Sequence, residues 1–333
     1  LREVYLLPGI KEVGNLAFAQ SGVKKAVVGG KGRAYGAGIF FGALRLRSVV
    51  LEQGVRHIPD RFACNCTSLK QVALPDTLES AGRHVWENTP FLEKWREEGC
   101  GGFVFWDGRD LEGEVELPEQ VRITAGGAFY GNGRITAVHF SDSVMWIGPA
   151  ALKGCTSLQK VTWPSEIEAV GEEVFSGCVH LEYVACRRDA GESPVSWKRI
   201  GERAFYRCRK LCGISLKDAE AVGKEAFSGC ASLVAGEMKL LKRAGENAFE
   251  ESVLEKIVSG NNCLSLAGSI IVSGHNCTGE VWIPEGITAV APFAFSGNRQ
   301  ITRVFLPEGF CEIGDGAFWG CSALSEIRFP SSP

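Results

Sequence analysis

Thirteen cysteines and five histidines are the side chains of this 333-residue chain best suited to hold a metal or attack a substrate. Their spacing argues against both. No two cysteines form a CxxC pair. Cys64-x-Cys66 and Cys208-x3-Cys212 are half-sites at most, and no second half stands at zinc spacing. His275-Asn276-Cys277 is the one close His–Cys pair, but it falls in a predicted hairpin turn, where a solvated turn is the expected reading. His57, His84, His139, His180 and His275 are scattered. No GxSxG elbow, P-loop, HExxH helix or EF-hand loop occurs. The glycine-rich basic stretch at residues 29–36 (GGKGRAYG) reads as a flexible turn, and the sequon-like Asn65-Cys66-Thr67 and Asn276-Cys277-Thr278 carry little weight. The expectation is a protein that is not an enzyme, with no metal and no cofactor.

Six cysteines share one spacing, three residues after an aromatic or apolar anchor: Cys66, Cys155, Cys178, Cys208, Cys230 and Cys321. Asn132 and Asn298 take the same place. A weak donor or an amide there is suited to hydrogen-bond turn backbone in a neighbouring coil, making a structural Cys/Asn ladder. Disulfides between adjacent rungs are open on spacing, although asparagine at the same site argues against an obligatory bond.

That spacing is one part of a repeat. The stretch from Leu69, LKQVALPDTLESAGRHVWENTPF, and the stretch from Leu158, LQKVTWPSEIEAVGEEVFSGCVH, share a frame: Leu, two variable residues, Val, one variable, apolar, Pro, then a Gly-x-x-Val-aromatic turn. The anchors fall at Phe18, Phe40, Ala63, Trp86, Phe129, Leu152, Phe175, Phe205, Phe227, Phe249, Phe295 and Phe318. The doubled steps, from Trp86 to Phe129 and from Phe249 to Phe295, each hide a turn without a standard anchor. These two variant units, near 100–119 and 266–285, align with each other without a gap and read as strand, glycine turn, strand. An insertion stands near 187–197.

The elements follow from the frame. Val72 and Leu74 suit a short strand, and Pro75 ends it. Gly82, like Gly148, opens a turn that a Cβ would obstruct. Successive aromatics make an interior spine. One coil cannot bury its apolar face alone, so neighbours stabilise it. About 14 turns over residues 1–333 make one solenoid.

The frame, clearest in Ile301-Thr-Arg-Val-Phe-Leu-Pro307 with Ile313-Gly-Asp-Gly-Ala-Phe-Trp-Gly-Cys321, resembles the BspA-like leucine-rich repeats of bacterial cell-surface proteins. The resemblance implies an α/β-type repeat solenoid: a right-handed leucine-rich-repeat coil with a parallel β-sheet on one face, short strands and turns on the other, and little helix. It also implies exposure on, or secretion from, a bacterial cell and adhesion to a protein or glycan.

Net charge of −3 and a pI near 6.1 argue against nucleic acid as partner, and no apolar run is long enough to span a membrane. Lacking a signal peptide and beginning and ending inside repeats, the chain reads as a trimmed or mature fragment. Binding is expected on the strand face. The outward column is Tyr5, Val27, Val50, Ala73, Glu116, His139, Thr162, Ala185, Ser215, Glu237, Val258, Trp282, Phe305 and Arg328, with Arg303 and Glu280 flanking the C-terminal aromatics. The alternatives are a structural stalk presenting another domain, and a cysteine enzyme.

Overall fold

The computed structural model describes residues 2–6, 10–30, 34–99, 101–188, 191–233, 238, 240–252 and 263–329. The described coils make about 13 turns of parallel-strand solenoid with a single short helix. They fall into two compact units: residues 1–132 with 140–153, and residues 133–139 with 154–333.

In the first unit, strands Glu3–Leu6, Lys25–Val28, Ser48–Leu51 and Gln71–Ala73 form a parallel front sheet. Its register places Tyr5, Val27, Val50 and Ala73 side by side. Alternation puts Val4, Ala26 and Val49 inside. The return side carries two-residue strands, including His57–Ile58 beside Ser80–Ala81 and Ile123–Thr124 between Val104–Phe105 and Trp146–Ile147. Helix Pro90–Glu97 starts on the hydroxyl of Thr89, which caps the amide of Leu92, with proline in its first turn.

The second unit repeats the plan. Ile135–His139, Lys160–Thr162 and Tyr183–Arg188 pair in parallel. The insertion folds back as strand Gly191–Pro194, antiparallel to Tyr183–Arg188, and delivers Trp197 into the core against Trp163 and Phe205. A further front sheet joins Gly279–Trp282, Ile301–Phe305 and Glu326–Arg328.

Inside each unit the rings stack as a spine. Phe175, Phe205, Phe227 and Phe249 lie face to face, 5.0, 5.2 and 5.7 Å apart. In the first unit the spine runs Phe18, Phe40, Phe62, Trp86. The anchor register does pass through Ala63, whose amide bonds the carbonyl of Val85 just as that of Phe40 bonds Phe62. Alanine leaves room at that rung, so the ring comes from Phe62 instead. The frame glycines are needed for space: a Cβ on Gly148 would sit 2.4 Å from the amide of Gly126 in the adjacent coil. Left-handed backbone is carried largely by other residues of the same turns, such as Glu173, Arg203 and Glu225.

The hidden turns have glycine in the anchor register. The amide of Gly108 bonds the carbonyl of Ala128, and that of Gly274 bonds Ala294. The next coil's Phe129 or Phe295 ring covers each glycine so closely that a Cβ would lie 2.3 or 2.1 Å from it. The expected strand–turn–strand units are therefore not hairpins about these glycines. Val104–Phe105 and Ile270–Ser273 belong to return-side sheets, whereas Gly279–Trp282 belongs to a front sheet. The antiparallel hairpin in the second variant unit is Ser265–Ala267 with Ile270–Ser273, one step earlier. A turn that must carry the chain from one side of a coil to the other cannot pair its own flanks.

Candidate binding face

The front strands present two outward columns, since residues two apart share a face. In the last front sheet, Val281 and Val304 point inward and are buried. Trp282, Phe305 and Arg328 are Cα partners on the outer side. The indole of Trp282 is 64% exposed and lies flat on Phe305, with ring centroids 3.8 Å apart and planes 5° from parallel. The Arg328 guanidinium covers the Phe305 ring at 5.5 Å. The adjacent column alternates in sign: Arg303 pairs with Glu280 at 2.9 Å and Glu326 at 3.5 Å, and Arg328 with Glu326 at 2.7 Å. The Arg328 guanidinium holds the Glu326 carboxyl below the usual carboxylate range. These exposed pairs add little stability, but they border the stacked rings with charge.

In the first unit, Tyr5 is 47% exposed, with Lys25 Nζ 6.0 Å from its ring centre and its hydroxyl donating to Glu3 at 2.6 Å. Val27 and Val50 are half-buried. A groove of about 590 Å³ runs between this sheet and the helix, lined by Lys25, Val50, Lys70, Gln71, Trp95 and Glu98 among others. His139 Nδ1 lies 2.8 Å from Thr162 Oγ1. The outward column breaks there: Thr162 is 2% and Ala185 4% exposed. The insertion pairs antiparallel along the edge of this sheet, with Ala185 opposite Pro194, and extends it by one strand. Glu237 and Val258 lie outside the described residues, as do Lys31 to Arg33 of the glycine-rich stretch.

The cysteine positions hold hydrogen-bonded thiols. Cys66, Cys208, Cys230 and Cys321 each place Sγ 3.0–3.1 Å from the carbonyl of an anchor aromatic in another coil: Phe40, Phe175, Phe205 and Phe295. Burial pushes the Cys66 and Cys230 thiols up to about 12. Burial, then the neighbouring Cys155 thiol, pushes Cys178 well above its ordinary value. Buried protonated thiols of this kind are poor nucleophiles. Asn132 and Asn298 stand where the preceding coil has the glycine turn. Asn132 Nδ2 donates to the carbonyls of Gly108 and Leu111, both at 2.8 Å, and Asn298 Nδ2 to those of Gly274 and Cys277, both at 2.9 Å. A thiol has one proton to give; these turns present two carbonyls.

Cys277 is not in a solvated turn. It is 1% exposed and disulfide-bonded to Cys263. The spacing rules for zinc and CxxC pairs do not reach a bridge between a turn and the chain ahead of a hairpin, so nothing in the sequence marked it. The groove's helical wall did have a signal, in Thr89-Pro90 followed by Glu93. A return-side groove of about 570 Å³ in the second unit, with Arg199 and Arg243 above an alanine floor, had none, because its two-residue strands carry no readable period. Among the described residues no cluster of His, Cys, Asp and Glu suits a metal, and no helix is long and apolar enough to cross a membrane.

The family model described as BspA type leucine rich repeat region matches residues 1–96, 102–190, 189–277 and 275–333. No curated protein matches the chain. Among solved structures the chain is similar to a leucine-rich repeat protein from Eubacterium ventriosum, at 18% identity over 78% of this chain and 67% of that one, TM-score 0.38. It is similar to one from Bacteroides ovatus, at 19% identity over 98% and 86%, TM-score 0.35. A leucine rich cell surface protein from Faecalibacterium prausnitzii is similar at 16% identity over 100% and 88%, TM-score 0.30.

Proposed function

The chain belongs to the BspA-type leucine-rich repeat family, and from that premise we propose that it is a non-enzymatic interaction module of a bacterial cell surface, binding a protein or glycan through its exposed strand face. The observation that carries this reading is the Trp282–Phe305–Arg328 stack. A large indole left 64% exposed on a rigid sheet is costly in water and offers a pre-ordered anchor. Arg303, Glu280 and Glu326 around it supply a charged rim that orients a partner. An aromatic platform of this kind takes either the apolar face of a sugar ring or an aliphatic side chain. Tyr5, Val27 and Val50 make a flatter, weaker patch in the first unit, and His139 is tied to Thr162.

The test is a glycan and host-protein binding screen with the whole chain, followed by Trp282→Ala with Phe305→Ala. The double variant should weaken the strongest hit at least about tenfold, since stacked anchors of this size are worth about 2 kcal/mol or more in an interface. Its thermal midpoint should stay nearly unchanged, because both side chains project outward. Equal affinity in the double variant would remove the proposal. A screen with no hit would favour the stalk.

A further inference from the structure

Residues 1–75 carry eleven lysines and arginines against four aspartates and glutamates, in a chain whose net charge is −3. The excess is not spread evenly. The residues that enter the first front sheet are Arg2, Lys24, Arg47 and Lys70. They are stacked directly: the amide of Lys24 bonds the carbonyl of Arg2 at 2.8 Å, that of Arg47 bonds Lys24 at 2.8 Å, and that of Lys70 bonds Arg47 at 3.1 Å. All four side chains are exposed. Among the described residues none of the four makes an ion pair.

This arrangement is unlike the rest of the molecule. Rows with the same backbone linkage in the second unit alternate in sign. Glu168, Lys198, Glu220 and Lys242 are joined amide to carbonyl at 2.8–2.9 Å, and their side chains pair at 2.7 Å (Lys198–Glu168) and 3.0 Å (Lys242–Glu220). Nor does the repeat require a cation at the entry position. The equivalent row in the second unit is Thr136, Gln159, Glu182 and Cys212, held by the same amide–carbonyl bonds at 2.9 Å. Like charges on neighbouring strands, spaced about 4.8 Å, repel one another. The first unit therefore retains a repulsion that its frame does not need and that an anion would relieve.

The groove beside the row indicates which anion. It is lined by Lys25, Lys70 and Lys94, with Ser48 and Gln71 as neutral hydrogen-bonding groups over Val50 and Ala73. One acidic side chain lines it, Glu98, which pairs with Lys94 and leaves Lys25 and Lys70 as the cations of the wall without an ion pair among the described residues; Glu3, outside the lining, is bonded to Tyr5. Regularly spaced cations beside hydroxyl- and amide-bearing walls and a small aliphatic floor match a hydroxyl-rich chain with periodic negative charge. Single-stranded nucleic acid needs a series of exposed aromatic platforms for its bases; in the groove wall Trp95 is buried and Phe91 half-buried, and Tyr5 on the same sheet is a single exposed ring bonded to Glu3.

We propose that the Arg2–Lys24–Arg47–Lys70 row and the groove beside it bind an acidic polysaccharide bearing sulfate or carboxylate groups. The proposal shares with the preceding section only the premise that the chain is a binder; it concerns a different surface and a different ligand chemistry. The test measures binding of the full chain to heparin and hyaluronan, with neutral dextran, an oligothymidylate and phosphatidylglycerol vesicles as the other probes. At least one acidic polysaccharide should bind more tightly than all three others. Lys24→Gln with Arg47→Gln should weaken it about tenfold and reduce the slope of log affinity against log salt by about 2, one for each cation removed.

Lys198→Gln with Lys242→Gln removes the same formal charge from the alternating row and should leave binding unchanged, as should the Trp282 and Phe305 substitutions. Loss of binding in the Trp282 variant alone would support the aromatic platform and overturn this proposal. Equal loss in both lysine-containing variants would reduce the effect to net charge and overturn it too. So would tighter binding of the oligonucleotide or vesicles, or no binding to either polysaccharide. Free of ligand, the Lys24/Arg47 variant should melt no lower than the parent at low salt, which separates a binding defect from misfolding.

Discussion

The two variant coils meet one geometric problem with different chemistry. In each, a glycine occupies the anchor register, the next coil's phenylalanine covers it, and an asparagine closes the turn onto two carbonyls. The residue before the glycine is where they part. In the first unit it is Asp107, 5% exposed, which accepts from Arg109 at 2.7 Å and from Arg96 of the helix, while Arg109 reaches Glu87 at 2.8 Å. Burial raises the Asp107 carboxyl, but the two guanidiniums outweigh it and hold it below its ordinary value. In the second unit the same position is Ser273, 3.0 Å from His275, and the tie is covalent, from Cys277 to Cys263. The first solution ties the turn to a helix through charges. The second pins it to the chain just ahead of a hairpin. The shared glycine and asparagine are the minimum the turn needs; the rest is local.

Breaking the shared element should have the largest effect. Asn132→Ala and Asn298→Ala each strand two carbonyls in coils whose packing leaves little room for water, and each should cost about 3 kcal/mol by denaturant unfolding. A cost confined to one of the two would show that the turns are not equivalent. Next comes the bridge: Cys263→Ala with Cys277→Ala should lower stability by about 2–3 kcal/mol, as expected for a short closed loop. Hydrogen exchange should locate the loss in the second unit.

Asp107→Asn should cost about 2 kcal/mol, less than a fully buried pair because both arginines reach solvent, whereas Ser273→Ala should cost less than about 1 kcal/mol. Equal costs would erase the distinction between a charged and a covalent tie. Smallest is the acid response. A carboxyl depressed by folding adds stability that is present above its unfolded value, near pH 4, and is lost as pH falls through its folded value. Exchange near Arg96 and Arg109 should therefore rise below about pH 4 while that near Gly274 does not.

Much of this was legible in the residues. The register of the front sheets followed from the frame, so Tyr5, Val27, Val50 and Ala73, and likewise Trp282, Phe305 and Arg328, align as the spacing requires. The Cys/Asn alternation was visible as a pattern but not as a response to carbonyl count, which depends on how many residues the preceding turn contains. Ala63 was readable as a rung, but its ring donor was not. A one-residue shift in which side chain fills a space leaves the backbone register untouched.

Sequence periodicity determined what is local and repeated: short parallel strands, glycines at close coil approaches, apolar residues inward, the four entry cations one period apart, and the coil as the repeating unit. That information is carried by each repeat's own residues, because every coil meets nearly the same neighbours. Only the tertiary structure decided what depends on departures from that sameness. The insertion folds back along Tyr183–Arg188, the helix turns an open sheet into a groove, and Cys263 finds Cys277. Each of these joins residues that no period relates, so their meeting is fixed by the stacking of whole coils and not by the frame within any one of them.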